Sequence, residues 1–311
     1  MAQFQLYNYQ FGKIINNEQR DLFGNTSVLM SAKESFPIKQ DIFQKIFKDD
    51  YNQKRTISFT HQKGSKVYTH RHLIPPRDGI IILRIANKRM ISRTTKDFQK
   101  ANEEDYANCL VIIDNRPGIQ RMAIEVKKSV FQTDTTLYNI ICNTLNKILR
   151  PYSLYLDLMH LQDPKDFWTF VNDKKSYPMG FYKIKFHLPY LNLERLQKKY
   201  NSLMRQVRES YNGKLDWEVT AQDGGALNLS QDNKLQQAQI NYFMEHLGGD
   251  GIELVPNDNK KKSIKVGKGS YKYILVPENV FKGIMEDAAS NTLFDSSALD
   301  DLKRKMKEGI D

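Results

Sequence analysis

Glu125 and Lys127 are the residues of this sequence whose types and spacing point most directly to chemistry. Residues two apart on a β-strand lie on the same face of a sheet, so this carboxylate and this ammonium group are predicted side by side. A carboxylate can hold a divalent metal ion, and a lysine beside it can stabilise charge on an attacking water or a phosphate. The pair therefore indicates metal-dependent cleavage of a phosphodiester, if a second carboxylate reaches the same metal.

A nuclease core of the PD-(D/E)XK type takes that second carboxylate from the neighbouring strand. The segment 109–128 predicts a β-hairpin, because two apolar strand-like runs flank a Pro-Gly turn. Asp114 matches by spacing, but it would lie about six residues, or roughly 20 Å, from the residue opposite Glu125. Asp105 is the acid closest to the required position, and it would need a bulge or a bend to reach it.

The catalytic set of this hypothesis is therefore Glu125, Lys127 and Asp105, with Mg²⁺ or Mn²⁺ as the cofactor. The alternative is that Glu125 and Lys127 belong to the solvated face of an ordinary amphipathic hairpin whose other face is core. Motif matches of this length arise freely, so the sequence favours the alternative, and no cofactor is expected in that case.

A run of lysines and tyrosines near the C-terminal end is the second candidate site. Residues 259–273, NKKKSIKVGKGSYKY, predict a hairpin that turns at Gly-Lys-Gly. Lysines on a strand pair can follow a phosphate backbone, and tyrosines can stack on splayed bases. The alternative is an edge hairpin that its lysines protect from aggregation. The candidate nucleic-acid-binding residues in this segment are Lys260, Lys261, Lys262, Lys265, Lys268, Tyr271 and Lys272.

A basic helix face adds to this candidate surface. The apolar spacing over Leu191–Tyr211 predicts an amphipathic helix after the strand Phe181–Leu188. Its predicted solvent face is basic, which favours contact with phosphates. The basic residues of that face are Arg195, Lys198, Lys199, Arg205 and Arg208.

Three histidines come from two predicted strands joined by a turn at Lys63-Gly64-Ser65. They are His61, His70 and His72. A His-x-His pair can bind zinc, but this region contains no cysteine and offers no positioned carboxylate. Its lysines and arginines would also repel a cation. The sequence therefore predicts an exposed basic strand pair here and no metal site.

The charge and the cysteine content bound the class of protein. The 311 residues carry a formal net charge of +11 with a pI of about 9.3, which favours an anionic partner: nucleic acid before a membrane surface or an acidic protein. The two cysteines lie in apolar segments, so we expect no disulfide framework and a reducing compartment, the cytoplasm. No apolar run approaches a membrane span, and the first residues do not resemble a secretory signal.

The order of apolar segments predicts an α+β protein with two domains. Residues 1–173 are predicted as an N-terminal α+β domain that contains the hairpin 109–128, with a loop over the polar stretch 87–107. Residues 180–287 read as β-α-β-β-α-β with an extra hairpin, which predicts a ferredoxin-like split βαβ sandwich. Residues 288–311 are expected to form a loosely attached helical tail.

The layout of the chain resembles that of proteins from bacterial mobile elements and phage-defence islands, such as the B subunits of Kiwa systems. The resemblance comes from the hairpin LVIIDNRPGIQRMAIEVKK, the helix after it, and the α+β unit that opens with YKIKFHLPYLN. It covers about two-thirds of the chain as organisation, and no site residue is carried over. What it implies is a nucleic-acid-sensing or partner-binding role in immunity.

These observations predict a non-catalytic protein that binds nucleic acid, either DNA or RNA, as a component of bacterial anti-phage defence or of a mobile element. The first alternative is the metal-dependent nuclease built on Glu125 and Lys127. The second is a scaffold that binds a protein partner in a defence complex. Nucleic acid that copurifies with the protein and is lost at high salt would favour the non-catalytic nucleic-acid-binding function.

Overall fold

The structure is a computed structural model, and it describes residues 1–13, 35–61, 66–94, 96–131, 133–188, 215–246, 251–258, 261–266, 271–290, 292–293 and 296–308. These residues form a mixed α+β protein, as the sequence predicts. The chain divides into two units: unit 1 comprises Met1–Asp157 with Tyr273–Asp311, and unit 2 comprises Leu158–Lys272. In the described part of the chain, no helix has both the length and the apolar character that a membrane crossing requires.

Two sheets carry the described strands. In chain order these strands are β1 (Ala2–Lys13), β2 (Phe59–Thr60), β3 (Val67–His72), β4 (Ile80–Thr94), β5 (Lys100–Asp114), β6 (Arg121–Glu125), β7 (Leu154–His160), β8 (Phe181–Leu188), β9 (Leu215–Thr220), β10 (Ile252–Pro256), β11 (Ile264–Lys265) and β12 (Tyr273–Val276). The larger sheet has the order β12-β1-β6-β5-β4-β3-β2, and β7 also pairs with β1. The smaller sheet has the order β11-β10-β8-β9.

The central strands of unit 1 are continuous apolar runs because the core covers them on both faces. Ile80–Leu83 of β4 and Cys109–Ile113 of β5 are buried at every position, as expected for strands that are covered on both faces. The described helices are α1 (Ser35–Tyr51), α2 (Asp134–Leu149), α3 (Lys165–Asn172), α4 (Lys234–His246), α5 (Glu278–Ala289) and α6 (Ser297–Glu308). Leu137, Ile140, Ile141 and Leu145 recur at helical spacing along α2 and are buried, and Thr133 is the N-cap of this helix.

The polar stretch 87–107 is not the predicted loop. β4 and β5 continue through it as a two-stranded antiparallel ribbon, in register from Asn87 opposite Ala107 to Thr94 opposite Lys100. Most of its side chains are exposed on both faces, so the sequence shows no apolar alternation there. Cross-strand ion pairs support the ribbon instead. They are Lys88–Glu104, Arg89–Asp105 at 2.6 Å and Arg93–Glu103 at 3.5 Å.

The smaller sheet differs from the predicted ferredoxin-like sandwich. β9 pairs directly with β8 in antiparallel register, whereas a ferredoxin-like fold places another strand between the two strands of each βαβ unit. The third strand of the predicted β-α-β-β-α-β order would have to lie there, but residues 226–230, between β9 and α4, are irregular. The described strands therefore do not have the predicted topology. The helix predicted over Leu191–Tyr211 lies outside the described residues.

The boundaries of unit 2 also differ from the prediction. The polar stretch 174–180, expected between domains, lies inside this unit, because α3 before it contributes to the same core as β8 after it. Phe167 and Trp168 of α3 pack in one buried cluster with Phe181 and Ile184 of β8. Two segments that share one buried core cannot belong to two independently folding domains.

Tyr273–Asp311 belongs to unit 1. The structure differs from two predictions for the C-terminal part of the chain, the lysine-rich hairpin and the loosely attached tail. β11 and β12 do not form the lysine-rich hairpin, because β11 pairs with β10 while β12 pairs with β1. The tail predicted to be loosely attached is held: α6 buries Leu299, Leu302 and Met306. Nη1 of Arg121, at the start of β6, donates a hydrogen bond to the carbonyl of Met306 at 2.8 Å.

Candidate functional site

The predicted catalytic pair lies at the end of β6. The β5–β6 register places Ile124 opposite Val111, so Glu125 lies beside Leu110. Oε2 of Glu125 accepts a hydrogen bond of 2.8 Å from the backbone N–H of Leu110. This bond occupies one carboxylate oxygen, and Nζ of Lys127 lies 3.5 Å from the carbonyl of Asn108. Both side chains thus contact the backbone of the neighbouring strand.

The second carboxylate of the nuclease hypothesis does not reach Glu125. Asp105 lies five residues before Leu110 on β5, which corresponds to roughly 17 Å along a strand. Its Oδ2 is 2.6 Å from Nε of Arg89 across the ribbon. Since no bulge interrupts the β4–β5 register, Asp105 stays on the ribbon, and one metal ion cannot bridge it to Glu125.

The space beside Glu125 is also small. A cavity of about 10 Å³ lies between Glu125, Lys127, Cys109 and Phe131, which is room for about one water. Burial, and then the charge of Glu125, raise the pKa of Cys109 to about 12, so its thiol is protonated at neutral pH and does not act as a nucleophile. The geometry around Glu125 therefore does not support a nuclease centre, and the hairpin is not the predicted amphipathic one either, because Leu110, Ile112 and Ala123 on its second face are buried as well.

Part of the predicted lysine run meets a second basic turn. Nζ of Lys261 lies 4.9 Å from the centroid of the Tyr177 ring, which places it beside the turn 173–177. That turn carries Lys174 and Lys175, and both side chains are exposed. Lys262, next to Lys261 in the predicted lysine run, is exposed as well. We call Lys174, Lys175, Lys261 and Lys262 the lysine surface. No local pattern indicates this contact, because about 85 residues separate the two turns along the chain.

One carboxylate borders the lysine surface. Asp173 accepts hydrogen bonds from the side chain and the backbone N–H of Ser176, and these bonds, with a smaller contribution from the charge of Lys261, lower its pKa. Asp173 is therefore ionised at neutral pH and offsets part of the local positive charge. The two turns, 173–177 and 257–262, together contain five lysines and two aspartates in sequence, so their balance stays basic.

The remaining predicted contacts are distributed differently. Lys265 lies on the edge strand β11 opposite Glu253. The ring of Tyr271 stacks on His160 with centroids 4.3 Å apart, and the backbone N–H of Lys272 donates to the carbonyl of Leu161. Tyrosines and lysines therefore do not alternate along one hairpin. Seven predicted basic residues lie outside the described residues: Lys260, Lys268, Arg195, Lys198, Lys199, Arg205 and Arg208.

The histidine region differs most from its prediction. His70 and His72 are not on an exposed basic strand pair, because their side chains are only 9% and 6% exposed. Nε2 of each ring lies 2.7 Å from Oδ2 of Asp50, whose side chain is 2% exposed. His61 is not part of this buried group. Asp50 is the positioned carboxylate that the sequence pattern around the histidines did not indicate.

Asp50 is fixed by a third hydrogen bond. Its Oδ1 accepts from the backbone N–H of Ile57 at 2.7 Å, across the turn that follows α1. Burial alone would raise the pKa of Asp50, but the hydrogen bonds from His70, His72 and Ile57 outweigh it and hold that pKa well below the usual carboxyl range. A signal was available in part: His70 and His72 share a strand face with Tyr68, an aromatic residue typical of a buried face.

Comparison with known proteins does not add an assignment. No protein-family model matches this chain, and no curated protein matches it. The function is therefore argued from the geometry of the described residues.

Proposed function

We propose that this chain binds nucleic acid through the lysine surface, without cleaving it. The observation that carries the proposal is the contact of Lys261 with Tyr177, because it joins two lysine-bearing turns of unit 2 into one basic surface. Lysines that contact phosphates release the counterions condensed on a nucleic acid, which favours DNA or RNA over a neutral partner. We expect these contacts to be with phosphates, because a lysine ammonium group binds phosphate oxygens as a point charge and such contacts carry no sequence information.

The role without catalysis rests on the separation of Asp105 from Glu125. Two carboxylates that are roughly 17 Å apart along a strand cannot share a metal ion. The layout that resembles phage-defence and mobile-element proteins supports placing this binding activity in bacterial defence. In that setting the chain would recognise nucleic acid and leave its chemistry to another component.

One observation favours a second role, the protein-partner scaffold. The ribbon formed by β4 and β5 ends at Phe98, whose side chain is 91% exposed. Three ion pairs within the ribbon neutralise charges that could otherwise meet phosphates. An apolar tip on a ribbon of paired charges suits contact with a protein better than contact with nucleic acid.

Charge reversal tests the nucleic-acid proposal. The test variant changes all four residues of the lysine surface to Glu. The control variant changes four exposed lysines of unit 1, Lys45, Lys48, Lys54 and Lys128, in the same way, so both proteins have the same net charge. Fluorescence anisotropy with labelled duplex DNA, single-stranded DNA and single-stranded RNA, over a range of salt concentrations, gives affinity and salt slope for each.

We expect the test variant to lose at least tenfold in affinity at low salt, with a log–log salt slope about 0.9 smaller for each lost phosphate contact on duplex DNA. The control variant should keep most of the slope. Circular dichroism should show both variants folded, since the changed residues are exposed. Equal slopes in the test and control variants, or no binding by the wild type at low salt, would remove the lysine surface as the interface.

A further inference from the structure

We propose that Asp50, His70 and His72 bind a first-row transition-metal dication of the zinc class. The three residues offer one carboxylate oxygen and two imidazole nitrogens, and these ligand atoms lie within 4.8 Å of one another. They belong to unit 1 and play no part in the proposed nucleic-acid surface of unit 2. The proposal is therefore independent of that function.

The fold presents the three donors from two elements. His70 and His72 are two residues apart on β3, so both rings lie on one face of the strand. Asp50 is next to the last residue of α1, and the N–H of Ile57 holds its second oxygen. A hydrogen bond that fixes the non-coordinating oxygen of a carboxylate is the kind of support that metal ligands receive in proteins.

The spacing is close to that of an occupied site. Oδ2 of Asp50 lies 2.7 Å from each Nε2, whereas ligands about 2.0–2.1 Å from a tetrahedral zinc are separated by roughly 3.4 Å. Each donor pair must therefore open by about 0.7 Å as the ion enters. Each Nε2 then presents its lone pair to the metal, so any proton that it carries must move to Nδ1 or to solvent.

The charges around the cluster do not oppose a cation in the way that the sequence suggested. Arg71 alternates with His70 and His72 along β3, so it lies on the opposite, exposed face. Nζ of Lys66 donates to Oδ1 of Asn87 at 2.6 Å and to the carbonyl of Lys88. Lys63 lies outside the described residues. The buried carboxylate of Asp50 faces two rings that are neutral as ligands, and a dication would balance its charge.

The donor set selects the class of metal. Mg²⁺ and Ca²⁺ prefer oxygen ligands throughout, whereas imidazole suits zinc, iron, nickel and copper. Aromatic rings pack against the histidines: Phe59 on His70 at 5.0 Å and Tyr51 on His72 at 5.5 Å between centroids. Three protein ligands leave at least one coordination position for water or another ligand, as in catalytic zinc sites and in two-histidine, one-carboxylate iron sites.

The experiment uses the full chain, stripped of metal with a chelator and dialysed. Isothermal titration with Zn²⁺ gives stoichiometry and affinity, and visible absorption with Co²⁺ reports the ligand field directly. We expect one ion per chain. The changes His70→Ala, His72→Ala and Asp50→Asn should each weaken Zn²⁺ binding by at least about 100-fold, since each removes a ligand.

His187→Ala is the matched control. The His187 ring also lies between two carboxylates, with Nδ1 3.0 Å from Asp216 and Nε2 3.4 Å from Glu253. This group belongs to unit 2 and contains one histidine, whereas the proposed metal site contains two. This variant should keep Zn²⁺ affinity and the Co²⁺ spectrum. If an alanine variant does not fold, His70→Gln and His72→Gln keep the side-chain bulk, and the wild-type melting temperature must still rise with Zn²⁺. The absence of that rise, or equal affinity in the Asp50, His70 and His72 variants, would overturn the proposal.

Discussion

Arg116 binds Asp114 through two nitrogens: Nε lies 2.9 Å from Oδ1, and Nη2 lies 2.7 Å from Oδ2. Asp114 is fully buried at the end of β5, so the guanidinium provides the charge that its carboxylate needs. Nη2 also donates to the carbonyl of Lys303 in α6 at 3.0 Å. Asp114, which the nuclease hypothesis set aside on distance, is thus part of an anchor for the C-terminal helix.

Removing this guanidinium should destabilise unit 1. We expect Arg116→Ala to lower the free energy of unfolding by about 2–4 kcal/mol, because it leaves a buried carboxylate without its partner. Arg304→Ala removes the more exposed pair with Asp301 in the same helix and should cost under about 1 kcal/mol. Urea denaturation followed by circular dichroism measures both. Equal losses would mean that the Asp114 pair does not anchor α6.

Unit 2 should fold on its own when it is cut at the boundaries that the structure gives. A fragment of residues 158–272 keeps α3 and should unfold cooperatively. A fragment of residues 181–276 lacks Phe167, Trp168 and Val171 of the same core, and we expect no cooperative transition from it. Thermal unfolding of the two fragments compares them directly. A cooperative transition from the shorter fragment would restore the domain boundary predicted between residues 173 and 180.

The two cysteines should react slowly in the folded protein. Burial raises the pKa of Cys109 to about 12 and that of Cys142 to about 11. At pH 8 the thiolate fractions are then roughly 10⁻⁴ and 10⁻³. Labelling with an aromatic disulfide should be slow and should accelerate about tenfold per pH unit between pH 7 and 9.

Unfolding supplies the control for this labelling experiment. In urea both thiols return to the ordinary pKa near 8.5, so they should react at once and their rate should level off above that pH. The neutral thiol is the form that the fold favours. Its contribution to stability is therefore complete below the ordinary thiol pKa and is lost as pH rises toward 12. Fast labelling of both cysteines in the native protein at pH 7 would contradict their burial.

The tip of the β4–β5 ribbon should tolerate substitution. Phe98→Ser should change the free energy of unfolding by less than about 0.5 kcal/mol, because the ring is 91% exposed. Phe43→Ala, which removes a fully buried ring that packs against Phe11 and Phe47, should cost about 3–5 kcal/mol. The midpoints of urea denaturation compare them. A large loss from Phe98→Ser would show that this ring has a partner within the protein.

The sequence predicted those elements whose stability is visible in a local pattern. The hairpin predicted over 109–128 follows from two apolar runs that flank a Pro-Gly turn, and β5 pairs with β6 as expected. The ribbon 87–107 was missed because both of its faces are exposed, so no period of two appears. The partner of His70 and His72 was missed because Asp50 comes from the end of a helix about 20 residues earlier. A contact of that kind is tertiary, and no spacing rule encodes it.

The register that places Ala2 opposite Val276 has a consequence for protein synthesis. A ribosome that adds 5–20 residues per second needs roughly 15–55 s to make the strand that completes the edge of β1. By the time β12 is made, all of residues 158–272 have been synthesised, while the larger sheet still lacks β12, α5 and α6. Unit 2 is therefore fully synthesised before unit 1 can complete its sheet, and a nascent chain interrupted before residue 273 would leave the β1 edge of the larger sheet without β12, open to chaperones and proteases.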